Sequence, residues 1–268
     1  MTLGPIGLHG GGELVPGDEP FLRAILRRAA APAEARAARC GPATARSPAS
    51  PGAPGPAARR IVVLPTAAAA ERPDLAVEHA RAAFERVAAE LGVGVRVTAA
   101  MVVDAVTAQE PRWAAALADA DLVYLPGGDP GRIPSALRGS LALRAIVEAR
   151  ERGAVVAGAS AGAMALAPWT WTPRGGVAGL GLVSAIVVVP HAGRFAGAAE
   201  AARGWLGDDA PADLGVLALD ERTGVISGEA VGGGRRWEVS GPGSAWWLAP
   251  GASAPAVARD GDSLVLPS

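Results

Sequence analysis

From residue 61 onward, short apolar runs alternate with longer amphipathic stretches, and the length and period of each point to one kind of element. Ile61 to Leu64 reads as a buried strand, because a continuous apolar run leaves no polar face for water. Asp74 to Leu91 reads as a helix: Val77, Ala80, Phe84, Val87 and Leu91 recur at steps of three and four and line one apolar stripe. A strand at Leu122 to Leu125, a helix over Pro134 to Arg152 and a strand at Ala154 to Ala157 follow. Apolar strands joined by helices predict an α/β fold with a mostly parallel sheet covered on both faces. The rhythm continues with a strand at Ile186 to Val189, a helix near Phe195 to Leu206 and a strand at Leu214 to Leu219. From Thr223 the pattern turns to hairpins, because Gly232-Gly233-Gly234 and Gly241-Pro242-Gly243 bracket a run around Trp237. No internal repeat is visible.

Residues 29–60 break this pattern. They contain no Val, Ile, Leu, Met or aromatic residue and so offer nothing to bury. They read as a flexible, low-complexity insertion within a single domain spanning residues 1–268, since the preceding piece, Gly4 to Arg28, is too short to form a core alone. Replacing residues 33–57 with a short Gly/Ser connector should therefore leave the melting temperature within a few degrees, loop closure changing by only about 0.6 kcal/mol per doubling of length. A collapse of folding on that replacement would show the stretch to be a structured element.

Composition narrows the function. The chain has 268 residues, 50% of them hydrophobic, enough for a large core and too many for a disordered protein. A formal net charge of -1 gives no basic footprint for a phosphate backbone, so nucleic acid is not an expected partner. Cys40 is the single cysteine; it can form no internal disulfide and has no flanking His or Cys to suggest a metal site or a thiol nucleophile. No metal or other cofactor is expected. Met1 to Leu8 lacks a basic start and a long apolar run, so neither a signal peptide nor a membrane span is expected, and cytoplasmic residence follows as the expectation.

The candidate chemistry begins at Ala154-Val-Val-Ala-Gly158-Ala-Ser160-Ala-Gly162-Ala163, a strand followed by G-x-S-x-G and a helix start. A nucleophile elbow needs tiny neighbours because its serine sits on a sharp, strained turn, and every residue flanking Ser160 is Gly or Ala. The turn aims the hydroxyl at a helix N-terminus, where free N–H groups favour a developing oxyanion. Upstream, Leu122-Val-Tyr-Leu-Pro-Gly127-Gly128-Asp129 ends a strand in bare backbone N–H groups at the same sheet edge. Gly127 or Gly128, together with the N–H of Ala161, are the expected oxyanion hole.

A serine needs a base, and the chain has three histidines. His79 lies inside a helix and His9 precedes Gly10-Gly11-Gly12; His191 emerges at the end of the strand Ile186 to Val189, where parallel α/β folds place their sites, and is the expected base. From Ala161 through Pro190 there is no Asp or Glu, so the third member cannot lie between serine and histidine. Asp220 and Glu221 close the strand Leu214 to Leu219; period-two alternation lets one of them reach the imidazole and leaves open which.

Together these segments resemble the serine peptidase family that contains cyanophycinase and the aspartyl dipeptidase peptidase E. The matching pieces are Gly10-Gly-Gly-Glu13, Ile61-Val-Val-Leu-Pro-Thr66, Tyr124-Leu-Pro-Gly-Gly-Asp129, Gly158-Ala-Ser-Ala-Gly-Ala163, Gly179-Leu-Gly-Leu-Val183 leading to His191, and Leu217-Ala-Leu-Asp-Glu221. The resemblance implies a class I glutamine amidotransferase-like, three-layer α/β/α sandwich of flavodoxin-like type with a serine in place of that fold's cysteine, closed here by C-terminal hairpins. It also implies a Ser160, His191, Glu221 triad. Where cyanophycinase has a polar Asp-Gln before its histidine and several arginines after it, Val189-Pro190 precede His191 here and Arg194 alone follows closely, so an arginine-bearing aspartate polymer is not carried over as substrate.

The expected function is hydrolysis of short aspartyl peptides or related amides. A buried substrate carboxylate needs a cationic or multiply hydrogen-bonded partner. Arg194 is the best-placed candidate and Arg174 the second, with Asp129 counted among the substrate-binding residues. The expected partner is a small peptide, and a homodimer is compatible with the chain. Trp169 and Trp171 line either a pocket or the core. An α/β-hydrolase esterase, suggested by His9-Gly-Gly-Gly12 and the elbow, is excluded because its order of serine, acid and histidine cannot be met. A non-catalytic amidotransferase-like module that binds a ligand or partner is the remaining alternative; it would have no reason to keep serine, histidine and carboxylate together.

Overall fold

The computed structural model describes residues 3–29, 58–194, 197, 204 and 210–267. Most of the expected insertion at 29–60, Cys40 within it, and most of the helix expected at 195–206 lie outside those residues. In chain order the elements are β1 (Ile6–His9), α1 (Glu19–Arg28), β2 (Arg59–Val63), α2 (Pro73–Leu91), β3 (Val95–Ala99), α3 (Pro111–Ala118), β4 (Leu122–Leu125), α4 (Arg132–Leu137), α5 (Leu141–Glu151), β5 (Val155–Ala159) and α6 (Ala161–Leu166). A hairpin of β6 (Trp169–Thr172) and β7 (Gly175–Ala178) leads to β8 (Ile186–Val189) and β9 (Gly215–Leu219). The remaining strands are β10 (Gly224–Val231), β11 (Gly234–Ser240), β12 (Ser244–Leu248), β13 (Ala256–Arg259) and β14 (Ser263–Pro267).

The main sheet has eight strands in the order β14-β11-β10-β1-β5-β4-β2-β3. The strands from β1 to β3 in that order run parallel, and β10, β11 and β14 extend the sheet antiparallel. Alternation along the strands sends neighbouring side chains to opposite faces, and both faces are buried. Ile61, Val63, Leu122, Tyr124, Val155 and Ala157 pack on one face against Phe21, Leu22, Ile25, Phe84 and Val87 of α1 and α2. Ile6, Leu8, Val62, Val123, Leu125 and Val156 pack on the other against Ile133, Leu137, Ala142 and Ile146 of α4 and α5. The result is the expected three-layer sandwich. Among the described residues no helix is long and apolar enough to cross a membrane.

Besides the edge strand β3 and the β6–β7 hairpin, which the sequence reading does not contain, two features depart from it. The helix expected over Pro134 to Arg152 is two helices: Arg138 leaves helical geometry with φ -61° and ψ 127°, and the Ser140 side chain caps a new start by accepting from Leu143 N. A serine hydroxyl that satisfies a free N–H favours such a start over an interior position. The second departure concerns β8 and β9, which pair with each other in parallel and belong to a separate sheet in the order β13-β12-β9-β8. One face of that sheet, through Ile186, Val188, Leu217 and Leu219, enters the same core as β1 and β5. Its strand ends therefore converge on theirs.

Candidate active site

Ser160 sits between β5 and α6 with φ 48° and ψ -115°, a region L-residues rarely adopt and one that clusters at functional positions. The glycines flanking it follow from close approach: a Cβ on Gly158 would lie 2.4 Å from the Gly162 carbonyl carbon, and one on Gly162 would lie 2.1 Å from the Leu125 oxygen. A larger residue at either position would push the elbow off its neighbouring strand. His191, just past β8, also has positive φ, at 57°, and so does Arg222 beside Glu221, at 57°.

These side chains meet in a row. Ser160 Oγ lies 3.0 Å from His191 Nε2, and His191 Nδ1 lies 2.7 Å from Glu221 Oε1. The carboxylate accepts from Nδ1–H, which leaves Nε2 as the acceptor for the serine hydroxyl. The His191 hydrogen bond holds the Glu221 carboxyl below the ordinary carboxylate range, and the charge of Arg194 adds to this against the opposing effect of burial. Asp220 faces elsewhere: its Oδ2 accepts from Ser244 N at 2.9 Å, at the start of β12. Such a row can pass a proton from serine to imidazole while the carboxylate steadies the imidazolium.

What brings the row together is the end of β1 and the loop after it. Three consecutive carbonyls there accept backbone N–H groups of the site: His9 O from Ser160 N at 2.9 Å, Gly10 O from His191 N at 2.7 Å, and Gly11 O from Arg222 N at 2.7 Å. The His191 ring lies against Gly11, where a Cβ would stand 2.2 Å from Cε1. His9 itself is fully buried, with Nε2 2.7 Å from Asp18 Oδ1 and its ring 4.7 Å from that of Phe21. Asp18 Oδ2 accepts from Leu14 N, so the pair ties down the loop that carries the glycines. His79 is exposed on α2.

The remaining candidates divide. Gly127 reaches Ser160, a Cβ there falling 3.3 Å from Ser160 Cβ, but its N–H donates to Glu13 Oε1 at 2.7 Å. Sequence reasoning assigned Glu13 no role, although Gly10-Gly11-Gly12-Glu13 after a strand marked the spot. Arg194 turns its guanidinium to the carboxylate of the row, with Nη2 2.7 Å from Glu221 Oε1. Asp129 accepts from Gly131 N at 2.8 Å and lines a cavity of about 660 Å³ with Gly128, Arg132, Ser135, Thr172 and Arg174. Trp169 packs half-buried beside Val187 and Leu214, while Trp171 is exposed.

Among solved structures, the crystal structure of a peptidase from an acI-B1 Actinobacterium is similar over 98% of this chain and 97% of that one, with 23% identity and a TM-score of 0.71. A putative peptidase E protein from Listeria monocytogenes EGD-e, 13% identical, is similar over 90% of this chain and all of that one, with a TM-score of 0.54. Both share the fold. No curated protein matches significantly. The model of peptidase family S51 matches residues 53–224, well over half of the chain and the whole stretch from β2 to Ser160, His191 and Glu221, so the chain belongs to that family and is a serine peptidase.

Proposed function

We propose that the protein cleaves short peptides after an aspartyl residue, with Ser160 as nucleophile, His191 as base and Glu221 as the carboxylate that orients it. The observation that carries this reading is the unbroken row from Ser160 Oγ through the imidazole to Glu221 Oε1, at 3.0 and 2.7 Å. Ser160 Oγ attacks the scissile carbonyl as its proton passes to Nε2. Backbone N–H groups at Ala161 and at Gly127 or Gly128 receive the oxyanion, and His191 returns the proton to the leaving amine. Water then attacks the acyl-enzyme by the same path.

The acidic side chain is assigned to the cavity beside Gly128. Arg194 is engaged with Glu221, whereas Arg174 is exposed at the cavity wall and Arg132 Nε stands 3.7 Å from Asp129 Oδ2. Two guanidinium groups beside the oxyanion donors suit a carboxylate one side chain away from the scissile bond. The test is a fluorophosphonate probe followed by a screen of dipeptides. Labelling is expected in the wild type and not in Ser160→Ala, with aspartyl dipeptides cleaved best. A protein that labels at Ser160 and cleaves neutral esters but no aspartyl peptide would overturn the substrate assignment.

A further inference from the structure

Glu13 presents a charge problem. Its Oε1 accepts from Gly127 N at 2.7 Å, and the same Gly127 stands against Ser160 Cβ. A carboxylate therefore holds one of the N–H groups that a tetrahedral oxyanion at Ser160 would use. Two anions on one donor repel each other, so an occupied Gly127 N–H opposes the reaction it should assist. Among the described residues no Lys or Arg lies within ion-pair distance of Glu13, in contrast to Glu221, which has Arg194. A half-buried carboxylate without a counter-charge, beside a nucleophile, is suited to a cation that arrives with the substrate.

Resting on the peptidase reading above, we propose that Glu13 binds the α-ammonium of the substrate's N-terminal residue and, in doing so, releases Gly127 N–H to the oxyanion. The ammonium is attached to the carbon that bears the scissile carbonyl when the first residue is the one acylated. A group that binds it must lie beside Ser160, which is where Glu13 lies. Glu13 is thus a specificity-determining residue: a free N-terminus neutralises the carboxylate and clears the donor, whereas a blocked one does neither. Selection appears in kcat as well as KM, because the donor acts in the transition state.

The experiment compares matched p-nitroanilides, aspartyl with N-acetyl-aspartyl and alanyl with N-acetyl-alanyl, in wild type, Glu13→Gln and Glu13→Asp. Wild type is expected to favour the free amine by about 10- to 100-fold in kcat/KM, as for loss of a hydrogen bond to a charged group. In Glu13→Gln the ratio should collapse to within about threefold, and Glu13→Asp should restore part of it. Fluorophosphonate labelling of Ser160 in each variant shows that the fold and nucleophile survive. Equal use of free and blocked substrates by the wild type overturns the proposal, as does a Glu13→Gln loss that falls equally on both members of a pair. If the alanyl pair shows the ratio and aspartyl compounds are not cleaved, Glu13 keeps its role and the aspartyl assignment falls. If aspartyl compounds are cleaved with no preference for the free amine, the reverse holds.

Discussion

Glu221→Gln should lower kcat by roughly two to four orders of magnitude with the fold intact, as removal of a triad carboxylate does elsewhere. The amide keeps the size of the side chain but cannot balance the imidazolium, and its NH2 face would favour the wrong imidazole tautomer. Asp220→Asn should do far less to kcat, because Asp220 spends Oδ2 on Ser244 N and lies off the row. Steady-state kinetics of both variants decide the point, and the reverse ranking would move the role to Asp220. A pH signature accompanies it. Glu221 is held below the ordinary carboxylate range in the fold, so its ionised form stabilises the native state above the carboxyl's unfolded pKa. That stabilisation is lost as pH falls through the lowered folded value. The wild type should therefore exceed Glu221→Gln in stability near neutral pH, with the gap narrowing in acid.

Gly11→Ala should reduce kcat by about 100-fold or more, the cost of moving a catalytic group by about an ångström. A Cβ at this position would stand 2.2 Å from His191 Cε1 and 2.6 Å from Nε2, so the ring must leave its line with Ser160. Backbone strain adds to this, since Gly11 has φ 94°, a conformation that costs an L side chain about 1–3 kcal/mol. Gly92→Ala is the control: its φ is 65° and a Cβ there meets nothing within 4 Å. That variant should lose about 1 kcal/mol of stability and keep wild-type kcat. Kinetics and thermal melts of the pair separate displacement of the imidazole from backbone strain. Wild-type kcat in Gly11→Ala would show that His191 does not act from its present place.

The sequence by itself determined the features whose causes are local. The sharp strand-to-helix turn at Ser160 was legible because such a turn demands small residues within a few positions, and the chain supplies Gly158, Ala159, Ala161 and Gly162. The stripe of Val77, Ala80, Phe84 and Val87 determined α2, and the apolar runs determined β2, β4, β8 and β9, since burial on both faces leaves a continuous signature. The place of His191 at a strand end was legible in the apolar run Ile186 to Val189 before it. The edge strand β3 was not legible, because Arg96 and Thr98 are exposed, Val95 is only half-buried, and the strand carries no continuous apolar run. Nor was the break at Ser140, where one capping hydroxyl outweighs an otherwise unbroken helical pattern. Tertiary structure alone decided the rest of the site. Period-two alternation allowed either Asp220 or Glu221 to face the imidazole, and the choice rests on Ser244 and the β1 loop, both distant in the chain. The stretch His9 to Glu13 acts through hydrogen bonds and close approaches to residues about 110 to 210 positions away, which leave no periodic trace in a sequence. Arg194 belongs with Glu221 for the same reason: a surface arginine can reach many partners, and only packing selects one.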